Sequence, residues 1–112
     1  MSAVSAARQF VMATVAAWGF APDDAGLVAT ELATNALVHA RSPFTVSVEC
    51  QPAQLVVEVT DDGAWESPSS VTKGNGLAVV EHLSTWGIRR HMGGGKTVWA
   101  VLNAVHPPAS PS

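Results

Sequence analysis

A two-layer α+β sandwich, with about three helices on one face of a mostly antiparallel sheet, is the architecture that the sequence predicts. Three observations predict it. Apolar residues recur at helical spacing through the first forty or so positions, and two strand-like runs then flank a short proline turn. After a polar loop come a third helical segment and two further strand-like runs around a glycine turn. Hairpin strands kept apart from helices in this way favour helices on one face of one sheet.

The first helix is expected over Ser5 to Trp18, where Phe10, Val11, Thr14, Val15 and Trp18 share a face. Gly19 ends it. Pro22 with Asp23 and Asp24 opens a second helix, because acidic residues in a first turn complement the helix dipole. That helix runs to about Ala40, with Leu27, Val28, Leu32, Ala36 and Leu37 as its expected buried side, and Ser42-Pro43 stops it. Phe44 to Cys50 alternates as a strand, Gln51 to Gln54 turns, and Leu55 to Thr60 is the β-branched partner strand. Asp61 to Gly74 is a polar loop without periodicity. A third helix starts near Gly76, Trp86 to His91 is a short strand, Met92 to Gly95 a tight turn, and Thr97 to Ala104 the last strand. Residues 1–105 thus form one domain, and the proline-rich tail 106–112 is expected to be disordered. Trp18, Trp86 and Trp99 are expected as core aromatics.

Composition narrows the function classes. The chain has 112 residues, which suits a single core. Only 13% are charged against 47% apolar, so part of the surface is expected to be covered by a partner or a second copy. The net charge of −3, without a basic run, argues against direct nucleic-acid binding. No apolar run reaches the ~20 residues of a membrane span, the start lacks the order of a signal peptide, and the single Cys50 fits a reducing compartment. A cytoplasmic protein without membrane attachment is expected.

Four segments carry candidate chemistry. Glu31, Asn35 and His39 stand at four-residue spacing and form one polar stripe on a mostly apolar helix. A carboxylate beside an amide oxygen can orient a hydroxyl nucleophile and complete the shell of a hard cation such as Mg2+. Alone, the stripe equally describes a solvated helix face. Asp61-Asp62-Gly63 is an acidic turn ending a strand. Asp61 could accept from an exocyclic amine there, while Gly63 keeps a base edge clear, although a plain strand terminus would read the same. Gly74-Asn75-Gly76-Leu77 opens a helix, where glycines and unpaired N–H groups admit phosphate. Gly93-Gly94-Gly95-Lys96-Thr97 is not a P-loop, because Arg90 stands where the first glycine belongs and the segment leads into a strand. It is a hairpin turn, from which Thr97 can still reach a ligand.

In this order the segments resemble the GHKL (Bergerat-fold, histidine kinase-like) ATP-binding domains. Within them, Ala7-Arg8, Phe10-Val11, Trp18-Gly19, Glu31 through Ala40, Asp61-Asp62-Gly63 and Gly95-Lys96-Thr97-Val98-Trp99 resemble the actinobacterial anti-sigma-factor serine kinases, over roughly residues 5 to 104. The resemblance implies that Glu31 is the catalytic base and that Asn35 coordinates Mg2+. It also implies that Asp61 reads adenine with Gly63 beside the base, that Gly74, Asn75, Gly76 and Leu77 wrap the phosphates of ATP, and that Thr97 helps hold the adenine. His39 matches the family wording without a defined task. The implied reaction is phosphoryl transfer from ATP to a serine of an anti-anti-sigma (STAS-domain) antagonist, with a sigma factor as the competing partner and a homodimer compatible with the family. Three departures keep a catalytically weak, partner-docking nucleotide binder open as the alternative. The sequence opens almost at the first helix, where the family usually has a strand, Trp65 stands where a second glycine is common, and Asn75 replaces a frequent arginine.

Overall fold

The computed structural model describes residues 2–39, 43–63 and 76–103. Helices α1 (Ala3–Ala17) and α2 (Asp23–His39) precede strands β1 (Phe44–Gln51) and β2 (Gln54–Asp61). Helix α3 (Gly76–Leu83) and strands β3 (Thr85–Arg90) and β4 (Lys96–Asn103) follow. The expected fold class is the one observed, and among the described residues every strand pairing is antiparallel. Trp65, the rest of the 64–73 loop and the 106–112 tail lie outside the described residues.

Local chemistry sets the helix ends. The Ser2 hydroxyl oxygen accepts from the Ser5 N–H at 3.0 Å and caps α1. At the other end Gly19, at φ 89°, donates to the Ala16 carbonyl, and Phe20 donates to that of Val15, each at 3.0 Å. This is a Schellman stop, sealed because Phe20 and Val15 are both buried in the same core cluster. Helix α2 begins where the Pro22 carbonyl accepts from the Gly26 N–H, with Asp23 and Asp24 in its first turn. Gly26 lets α1 come close, for a Cβ there would sit 2.5 Å from Met12 Cγ.

The sheet runs in the order β1-β2-β4-β3. Period-two alternation turns Leu55, Val57 and Val59 of β2 toward the helices. Directly opposite on β4 stand Leu102, Ala100 and Val98. These pack with Val11, Val15, Val28, Leu32 and Val80 into one core. On the other face Trp99 lies over Gly87, where a Cβ would come within 2.4 Å of the indole. Beside it Arg89 pairs with Glu58 at 3.2 Å, an exposed contact worth less than about 1 kcal/mol.

Several burial expectations are corrected. Leu27 and Leu37 are exposed, as is Phe10 on α1. Because α2 packs against both α1 and the sheet, its buried sector is filled largely by the small Ala25, Ala29, Ala33 and Ala36, with Val28 and Leu32. The two leucines fall on its flanks. Trp18 is exposed at the α1 C-cap, and Trp86 and Trp99 are half-buried. Cys50 is exposed at the end of β1.

Both hairpins contain backbone that the sequence only partly suits. Pro52-Ala53 joins β1 to β2, with Ala53 at φ 63°. Since an L-residue pays about 1–2 kcal/mol in that region and glycine gives back roughly half in chain entropy, Ala53→Gly is expected to stabilise the domain by up to about 1 kcal/mol in thermal unfolding. Between β3 and β4, Gly95 sits at φ 89°, and a Cβ on it would lie 2.6 Å from the Asp61 carbonyl oxygen. Gly95→Ala is therefore expected to cost at least about 2 kcal/mol, from the left-handed backbone and the clash together. A urea midpoint equal to wild type would contradict this.

Candidate functional site

The helix-facing row of the sheet does not end in an apolar residue. After Leu55, Val57 and Val59 it reaches Asp61, and opposite it β4 places Lys96 in phase with Val98, Ala100 and Leu102. The two side chains are 0% and 1% exposed, and Lys96 Nζ lies 3.1 Å from Asp61 Oδ1. The same oxygen accepts the Gly63 N–H at 2.9 Å, which closes the acidic turn. Asp61 Oδ2 is buried and has no hydrogen-bond partner among the described residues.

Helix α2 supplies the second half. It ends at His39, and β1 then starts at Phe44, whose register partner is Asp61. The C-terminal end of α2 therefore lies at the Asp61 end of the sheet. Asn35, one turn beyond Leu32 and beside the buried Ala36, is itself buried, and its Nδ2 likewise lacks a partner among the described residues. Glu31, one turn earlier on the same stripe, is half-buried. A buried polar atom left without a partner costs about 1–3 kcal/mol. Asp61 Oδ2 and Asn35 Nδ2 are two such atoms, on two elements that pack against each other.

The remaining expected residues divide. Gly63 is buried beside Asp61. Gly76 and Leu77 open α3, while Gly74 and Asn75 lie outside the described residues. His39 is the last residue of α2, and its side chain is outside the description. Thr97 is not brought to Asp61. It is out of phase with Lys96 on β4, so its side chain takes the opposite face of the sheet. There its Oγ1 lies 2.7 Å from Thr60 Oγ1 and 2.6 Å from His91 Nε2. Lys96 is the buried residue that sequence reasoning missed. The signal was available, because counting back by twos from Leu102 through Ala100 and Val98 lands on it.

Two cavities border these elements. An open one of about 610 Å3 adjoins the Asp62-Gly63 turn and is lined also by Arg90, His91 and Gly95. A larger apolar groove of about 830 Å3, between Phe10, Leu37, Phe44 and Val46, is lined by none of the expected site residues among those described. Among the described residues no cluster of three or more His, Cys, Asp or Glu could hold a metal unaided, and no helix is long and apolar enough to cross a membrane.

Solved structures share this architecture. Full-length ShkA in complex with AMPPNP matches with a TM-score of 0.59 at 16% identity, over 79% of this chain and 23% of that one. The Acinetobacter baumannii histidine kinase AdeS matches with a TM-score of 0.54 at 17% identity, over 74% and 47% respectively. The histidine kinase domain of the E. coli osmosensor EnvZ matches with a TM-score of 0.55 at 16% identity, over 83% and 71%. The chain thus spans less than half the length of the first two, and at these identities the likeness is one of fold. No curated protein matches the chain. The family model of the histidine kinase-like ATPase domain matches residues 1–102. With nearly the whole chain inside that model, the protein belongs to the histidine kinase-like ATPase (GHKL) family.

Proposed function

We propose that the chain binds ATP with Mg2+ at the Asn35–Asp61 end of the interface and transfers the terminal phosphoryl group to a serine of an anti-anti-sigma STAS-domain protein, in competition with a sigma factor. One observation carries the nucleotide reading: Asp61 Oδ2 on β2 and Asn35 Nδ2 on α2 are both buried without a partner among the described residues. Asp61 Oδ2 suits the 6-amino group of adenine, a donor that needs one acceptor oxygen. Family membership and the AMPPNP complex of ShkA support the same ligand. Kinase action on a serine and the two protein partners rest on the motif resemblance alone.

The residues also suit magnesium held in the way that phosphate-bound magnesium usually is. The cation keeps near-octahedral oxygen coordination and takes one or two protein ligands besides phosphate oxygens and water. Asn35 would supply the protein ligand, which agrees with the lack of a larger acidic cluster among the described residues. Bound there, the cation supplies neutralisation of phosphate charge. Glu31 would accept the proton of the incoming serine hydroxyl as its oxygen forms the new bond to phosphorus and the bond from phosphorus to the ADP oxygen breaks.

Titration calorimetry tests the nucleotide reading. Wild type is expected to bind ATP with Mg2+, and Asp61→Asn, which keeps the shape and an acceptor for Lys96, is expected to lose about tenfold or more in affinity. Wild type that gives no binding heat with ATP, alone or with Mg2+, would overturn the proposal. Binding without phosphate transfer to any STAS-domain protein would instead favour the docking alternative.

A further inference from the structure

We propose that Lys96 is a positioning residue for base recognition: by holding Oδ1 of Asp61 it leaves Oδ2 as the one free acceptor, so that the pocket reads a single amine. The inference rests on the ATP reading of this site. A carboxylate offers two oxygens and about four lone-pair positions. Here Oδ1 receives two donors, the Gly63 N–H at 2.9 Å and Lys96 Nζ at 3.1 Å. Those contacts approach from the following turn and from the neighbouring strand, which fixes the rotation of the carboxyl group. The strand beneath is fixed as well, because Gly95 sits against the Asp61 carbonyl. Oδ2 is then left in one direction, buried and without a partner among the described residues. The 6-amino group of adenine supplies an N–H for this oxygen. Guanine presents two adjacent donors, N1–H and the 2-amino group, which a carboxylate pairs best with both oxygens side by side, and here Oδ1 is already taken.

A lysine that served only to balance the Asp61 charge would stabilise the fold without favouring one base over another. The two roles separate in a comparison of ligands. Calorimetry on the full chain would use ATP, GTP and purine riboside triphosphate, which lacks the 6-amino group, with wild type, Lys96→Met and Lys96→Arg. Wild type is expected to bind ATP about tenfold or more tighter than either analogue. Lys96→Met is expected to bind ATP and the purine riboside compound within about threefold of each other, the loss falling on ATP, while Lys96→Arg restores the preference. Equal weakening of both ligands by Lys96→Met, or an undiminished preference for ATP, overturns the inference and leaves the ATP site standing. Wild type that binds no ATP removes the ATP reading and the inference with it. A crystal structure of wild type with a non-hydrolysable ATP analogue decides the matter even if Lys96→Met does not fold. The 6-amino nitrogen is expected on Oδ2 with Lys96 still on Oδ1, and an amine on Oδ1 or a lysine swung onto the phosphates overturns it.

Discussion

Lys96→Met is expected to lose about 3–5 kcal/mol of folding stability, the usual cost of removing one partner from a buried ion pair. The magnitude follows from what remains. Asp61 is 2% exposed, its Oδ2 already lacks a partner among the described residues, and Oδ1 would keep only the Gly63 N–H. A small domain has about 5–15 kcal/mol in total, so a loss of this size moves the urea midpoint far toward zero. The double variant Asp61→Leu/Lys96→Met replaces both charged side chains with apolar ones, and replacing a whole buried pair by well-packed apolar residues is often close to neutral. It is expected to recover most of the loss. A single variant within about 1 kcal/mol of wild type would show that the two groups do not depend on each other.

Glu31→Ala is expected to lower phosphate transfer by about 10²–10⁴-fold, the range for removing a general base, with ATP affinity changed by less than about threefold. Glu31 is half-buried on the stripe that carries Asn35, and in the proposed arrangement it takes no part in reading the base. Its loss should therefore fall on the chemical step. Single-turnover transfer to a STAS-domain protein, run beside calorimetry, separates the two quantities. Transfer at the wild-type rate would remove Glu31 from the proposed chemistry, and affinity falling in parallel with rate would make it a binding group.

Much of the architecture was legible because local signals agreed with one another. Gly19 marked the α1 stop, Pro22 with two aspartates marked the α2 start, and alternation in Phe44 to Cys50 marked a strand, which the structure places at the sheet edge. Burial was less legible where large and small residues compete for one helix face. Leu27 and Leu37 looked like core by hydrophobicity, yet alanines fill the α2 contact, since only small side chains let two elements close on it. In the site, the stripe and the acidic turn could be read directly, because each is a spacing within one element. The exchange of Thr97 for Lys96 at the sheet face was missed because a cation next to a glycine turn reads as surface. Its true partner, Asp61, lies 35 positions away and is brought opposite only by β2–β4 pairing.

That pairing makes the length of the glycine turn a determinant of chemistry. Between Arg90 and Lys96 the chain spends five residues reversing direction. One residue fewer there, made up by drawing Lys96 into the turn and sliding β4 a single step, would bring Thr97 opposite Asp61 and point a hydroxyl at it while the ammonium leaves the pair. A change in loop length, with no change in any side chain, could thus convert a charged recognition site into a neutral one, and related chains could diversify their ligands by that route.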